Sequence, residues 1–145
     1  MDWGDTKMKT NPNSLPSTPA ALLPYCRDCR DLSEWPERWM GVEEDLSPGT
    51  RLVQYFMPFL LHLAASGLSK STIQNHVDNM WLLGGEIIRD VNEEPHLRKV
   101  RAEQLVRNVI HHDGGPLIHH GWEDEQRSFD STCRKFYRFL SHSQR

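Results

Sequence analysis

Cys26-Arg27-Asp28-Cys29 has the spacing of half a zinc site or of a redox pair. A structural zinc ion needs four ligands, however, and the chain has no second CxxC; its third cysteine, Cys133, falls in an apolar helical stripe. Histidines stand in adjacent pairs, His111-His112 and His119-His120. Neighbours on a helix point about 100° apart, so such pairs rarely serve one metal together. Cys26 and Cys29 therefore read as ordinary reduced thiols, and no metal or cofactor is expected. The run Glu43-Glu44-Asp45 precedes a helix and reads as a solvated face or as part of a protein-binding surface. No glycine-rich phosphate loop, nucleophile elbow or HExxH motif is present, so the chain is not expected to be an enzyme.

Basic side chains offer a different chemistry. Arg127, Ser131, Arg134 and Arg138 follow at intervals of four, three and four residues, which places them on one helical face with Lys135 beside them. From Cys133 to the end the chain carries four positive side chains and no acidic one. Such a row reads either as a solvated bundle surface or as a track for phosphates, whose contacts add through counterion release. A second polar concentration is SGLSKSTIQNHV, residues 66–77, set between two of the most apolar stretches. A turn between helices needs its glycine and one serine. The remaining two serines, lysine, threonine and amides exceed that need.

Helices must position these groups. Ser47-Pro48 is a helix start, a cap followed by proline at the first helical position. Leu52, Val53, Phe56, Phe59, Leu60 and Leu63 then make the run to Ala65 apolar on most faces, as in a helix buried on most faces. Pro58 is expected to kink it, and Gly67 to cap it in the left-handed region. A second helix is expected from Lys70 to Val91, capped by Ser69, with Ile73, Val77, Met80, Trp81, Ile87, Ile88 and Val91 as its apolar repeat. Gly84-Gly85 in its middle costs roughly 1 kcal/mol per residue against alanine, which predicts a close crossing or a bend. A third helix is expected over Arg101–His112. The last, Glu123–Ser141, carries the stripe Phe129, Cys133, Phe136, Tyr137 and Leu140. No alternating strand pattern appears, so the fold class is all-α, a bundle of four main helices.

FLLHLAASGLSKSTIQNHVDNMWLL resembles the N-terminal core-binding, SAM-like helical domain of phage-type tyrosine recombinases, in which an apolar helix ends in a small-Gly-Leu turn followed by a Ser/Thr/Lys-rich cap. FDSTCRKFYRFL is similar to that domain's last helix, and the resemblance spans about residues 50–142. It implies double-stranded DNA as the partner, with Lys70, Ser71, Thr72 and Asn75 at the DNA-contacting positions. A helix N-terminus offers unpaired amides and partial positive charge to a phosphate, and Lys70 adds a full charge. Asn75 stands one turn on, where an amide could meet a base edge. The basic row Arg127, Arg134, Lys135 and Arg138 would add phosphate contacts. The family often has lysine where this chain has Ser71. The chain ends where the catalytic domain would begin, and the Arg–His–Arg–Tyr set is absent. The implied function is a non-catalytic DNA-binding module, such as a regulator of a mobile element or of recombination.

Flanking segments and totals complete the expectation. Residues 1–20, with Pro12, Pro16 and Pro19 among polar residues, read as a disordered tail. Residues 21–46 read as an arm with a short helix from Pro36 to Gly41, and residues 47–145 as the helical domain. The arm would lay Trp35 and Trp39 on the core or on a partner. With Glu43–Asp45 they support the alternative function, an antitoxin-like or inhibitory protein-interaction module. A net charge of −3 and a pI near 6.2 give no global field for nucleic acid, so any such binding must be local. Residues 70–110 are balanced, with six basic and six acidic side chains. The longest apolar run, 56–65, is too short for a membrane span. The first twenty residues lack the apolar core of a signal peptide, and three cysteines suit a reducing compartment, so a cytoplasmic protein is expected.

Overall fold

A computed structural model describes residues 18–25, 32–118 and 122–143, and five α-helices follow one another in them. They are α1 (Trp35–Trp39), α2 (Leu46–Ala64), α3 (Lys70–Glu93), α4 (Ala102–Arg107) and α5 (Glu123–Ser143). Turns of 3-10 helix at Ala20–Tyr25, Leu32–Glu34, Glu43–Asp45 and Pro95–Lys99 lie before and between them. The described residues contain no strand, and their isolated bridge pairs His111 with Gly114. The protein is all-α, with α2, α3 and α5 as its long members. No helix among the described residues is long and apolar enough to cross a membrane.

Leu52, Val53, Phe56, Phe59, Leu60 and Leu63 share one stripe of α2, and all are fully buried. Gln54, Pro58, Leu61 and His62 on the other side are exposed, so α2 is buried on one face and not, as expected, on most faces. Gly67, at φ 84°, takes the left-handed turn after α2, and α3 returns from Ser69. Phe136 of α5 sits between Phe56, which it meets edge-on at 5.6 Å, and Phe59 at 4.8 Å, and Phe139 lies 5.3 Å from Phe59, so α5 runs parallel to α2. His76 meets Thr132 and Asn79 meets Ser128, so α5 runs antiparallel to α3. Residue numbers rise along α2 and α5 and fall along α3 from one end of the bundle to the other.

The expected arm is part of this core. Leu22, Leu32 and Trp35 are buried in the same cluster as α2 and α3. Thr18, inside the expected tail, is buried too, and its Oγ1 accepts a hydrogen bond from Leu32 N at 2.9 Å. Residues 1–17, the rest of that tail, lie outside the described residues. The Trp39 indole fills the place where α3 has no side chain: a Cβ on Gly84 would lie 2.1 Å from Trp39 Cζ2. Its Nε1 donates to the carbonyl of Trp81 at 3.0 Å. The glycine pair thus makes a close approach, to α1. Trp35 and Trp39 are therefore withdrawn from any outward protein-binding role, because packing and a hydrogen bond hold them inside.

The acidic run is likewise divided. Glu43 and Glu44 are exposed, but Asp45 is fully buried. Its carboxylate accepts from Gly41 N (3.0 Å), Val42 N (3.3 Å), Asn92 Nδ2 (3.0 Å) and Arg98 Nε (3.0 Å). Burial alone would raise its pKa; the bonds from Gly41, Asn92, Arg98 and Val42 outweigh it and hold the group below the usual carboxylate value. Asp45 is thus an internal anchor and cannot be part of a partner surface.

Helix α4 covers only Ala102–Arg107 of the expected Arg101–His112. Val109 N and Ile110 N both return to the Val106 carbonyl, and His111 and Gly114 close a tight turn through two backbone bonds. The chain must drop onto α5 there. Gly115 N donates to Asp130 Oδ1 at 3.1 Å, and a Cβ on Gly115 would meet Cys133 Sγ at 2.5 Å. A longer α4 would forbid that contact.

The notch predicts a change of sign. Gly84→Ala in the native background should destabilise by about 1–3 kcal/mol through overpacking against the indole. Trp39→Ala alone should cost about 3–5 kcal/mol. With Trp39 already removed, Gly84→Ala should become stabilising by up to about 1 kcal/mol, the helix-propensity gain. Urea unfolding of the four proteins measures this, and the same sign in both backgrounds would refute the notch.

Candidate nucleic-acid interface

At the start of α3, Ser69 adopts an extended conformation and its Oγ accepts from Thr72 N at 3.2 Å, which satisfies one of the free amides of the first turn. The same hydroxyl donates to Thr72 Oγ1 at 2.8 Å. Thr72 is half-buried, so its side chain completes the cap. Lys70, Ser71 and Asn75 are exposed, and among the described residues Lys70 and Asn75 make no side-chain bond. The outward part of the expected set is these three.

The basic row on α5 is not uniform. Arg127 forms an ion pair with Asp124. Arg134, half-buried, donates to the Asp113 carbonyl at 3.3 Å. Lys135 is half-buried and Arg138 exposed, and neither has an ion-pair partner among the described residues. Asp130 is turned to the loop before α5, accepting from Gly115 N and Gln126 Nε2.

The His76–Thr132 contact decides which of these groups meet. Because α3 and α5 are antiparallel, Lys70, Ser71 and Asn75 lie toward the same end as Lys135 and Arg138. Lys135 is near enough to act electrostatically on His76, the residue after Asn75. Arg127, next to the Ser128 that Asn79 bonds, lies level with the middle of α3, about 16 Å from Lys70 along the axis at 1.5 Å per residue. The structure thus places Lys70, Ser71 and Asn75 toward the same end of the bundle as Lys135 and Arg138, and sets Arg127 apart.

A wider charge pattern accompanies this. Residues 46–77 and 131–145 contain no Asp or Glu, and these segments supply the end where α2 stops, α3 starts and α5 finishes. The opposite end gathers Glu43, Glu44, Asp90, Glu93 and Glu94, while Glu123–Glu125 at the start of α5 lie level with the middle of α3. This segregation was visible in the sequence as acid-free runs, but only the helix directions show that the runs meet. Sequence reasoning also missed His76 and Asn79, buried polar residues that bond to α5.

Cys26 and Cys29 lie outside the described residues, as do His119 and His120. Among the described residues, no group of three or more His, Cys, Asp or Glu side chains is placed to hold a metal. Cys133 is buried in the core beside Gly115, and burial first, then Asp130, pushes its thiol up to about 12, far from a ligating thiolate. No family model, curated protein or solved structure matches the chain.

The cap and the exposed positions should separate in mutagenesis. Ser69→Ala should lower stability by about 0.5–2 kcal/mol, as loss of an N-cap does. Asn75→Ala should stay within about 0.5 kcal/mol of the native protein. Chemical denaturation checks both, and a large loss for Asn75→Ala would show that it belongs to the fold rather than to a free surface.

Proposed function

We propose that this protein is a non-catalytic DNA-binding module, of the kind suggested by its resemblance to the recombinase core-binding domain, and that it acts on a mobile element or in recombination. The observation that carries this reading is the acid-free end of the bundle, where Lys70, Ser71 and Asn75 stand with Lys135 and Arg138. A net charge of −3 is compatible with it, because residues 46–77 and 131–145 carry no carboxylate and a local patch can bind phosphate where the global field does not. Lys70 and Arg138 would hold phosphates, the α3 amides would add partial positive charge, and Asn75 would meet a base edge.

Leu117 and Trp122, 79 % and 76 % exposed near the acidic start of α5, favour a second reading, a protein-interaction module. They replace Trp35 and Trp39 as the outward apolar side chains of that alternative.

A salt series with mixed duplex DNA tests the first reading. Binding should fall linearly in log–log form, and Lys70→Ala with Arg138→Ala should reduce the slope by about two units. Asn75→Ala should instead narrow the gap between preferred and random duplexes by about 1–3 kcal/mol. No binding by native protein at ~50 mM salt would exclude the DNA reading and leave Leu117 and Trp122 as the surface to pursue.

A further inference from the structure

Helices α3 and α5 are joined by a polar cluster in an otherwise apolar interface. His76 Nδ1 lies 2.6 Å from Thr132 Oγ1, and the ring is only 8 % exposed. Asn79 Nδ2 donates to Thr132 Oγ1 at 2.9 Å, and to Ser128 O and Oγ at 3.2 and 3.1 Å. The Ser128 carbonyl can only accept, so it fixes the Asn79 amide with its nitrogen toward α5. Thr132 then has one hydrogen to place. Nδ1 at 2.6 Å is a better acceptor than the Ser128 carbonyl at 3.4 Å, so the neutral ring carries its proton on Nε2.

We propose that this cluster is an acid-opened clasp: one proton taken up at His76 reverses its bond to Thr132 and loosens α5 from α3 at the acid-free end of the bundle. On protonation Nδ1–H becomes the donor. Thr132 Oγ1 must then accept from both His76 and Asn79, and its own hydrogen must turn to the Ser128 carbonyl at 3.4 Å. A short bond is exchanged for a long one inside an interface from which water is largely excluded. The imidazolium would also face Lys135, the charge on α5 that bears on it, and among the described residues no carboxylate offsets that charge. The acid on α3 two residues away, Asp78, is engaged by Gln74 at 3.1 Å on another face.

Burial first, and Lys135 second, hold the His76 pKa below the ordinary imidazole value of 6.5. The unfolded or opened chain therefore binds the proton more tightly than the closed one. The clasp's contribution is complete above about pH 6.5 and is lost progressively as the pH falls from there toward the folded-state pKa.

Native-state hydrogen exchange and urea unfolding between pH 7.5 and 5.5 test the clasp on the full chain. The native protein should show an unfolding constant that rises severalfold, up to about tenfold, over this range. After correction for intrinsic rates, amides of α5 should lose more protection than those of α2. His76→Gln, which keeps a polar group without the titration, should be flat over the same range. Lys135→Gln, a change at a half-buried surface position, should move the NMR titration of the His76 ring toward 6.5 and shrink the acid loss. An unmoved His76 titration in Lys135→Gln would overturn the proposal. So would equal loss of protection in α2 and α5, which would make His76 a general stability titration rather than a clasp. Neither result depends on whether the protein binds DNA.

Discussion

The seat of Trp39 against Gly84 is the constraint on which the rest of the bundle depends. Two glycines inside a 24-residue helix cost about 2 kcal/mol in propensity. A tryptophan side chain buries some 150–250 Å², and Trp39 buries most of its own, which at about 25 cal/mol per Å² is about 4–6 kcal/mol before ordering costs. The exchange favours the notch. It also sets geometry, because α1 can reach α3 only where no Cβ intervenes. From there the Trp39 ring lies edge-on to Phe56 at 6.4 Å, and Phe56 carries the contact through Phe136 into α5.

Asp45 secures the same region by different physics. A fully buried carboxylate loses several kcal/mol of hydration, and only good partners repay it. Asp45 has a guanidinium, an amide and two backbone N–H groups within 3.3 Å. These partners come from the loop after α1, the end of α3 and the following 3-10 turn, so one side chain ties three segments to the start of α2. Arg51 extends the tie, donating to Ser47 Oγ at 2.8 Å and to the Arg98 carbonyl at 2.6 Å.

This division gives the bundle two unlike ends. Where α2 begins and α3 ends, carboxylates are numerous and one of them is structural. Where α2 ends and α3 begins, residues 46–77 and 131–145 carry none, and Lys70, Lys135 and Arg138 have no ion-pair partner among the described residues. The polar cluster around His76 and Thr132 lies close to that second end, so the register of α3 on α5 also sets the spacing between Asn75 and Lys135. A polar bond in an apolar interface is a good device for this, since it specifies one alignment where apolar packing would tolerate several.

Local and periodic features were legible from sequence alone. Ser69 capping a helix that starts at Lys70, Gly67 in the left-handed turn, the stripe of α5 and the all-α class each follow from neighbours within a few residues, where backbone sterics and the 3.6-residue repeat decide the outcome. Gly84-Gly85 announced a close approach without saying to what. The tertiary structure decided everything that depends on which segments meet. Trp39 went to α3 rather than outward, Asp45 went inside while Glu43 and Glu44 stayed in water, and α4 stopped at Arg107 so that Gly115 could reach α5. It also decided that acid-free runs far apart in the chain share one end, and that Arg127 does not join Lys70. Each of these outcomes turns on a long-range contact, whose energy depends on the partner and so is not encoded in any local pattern of residues.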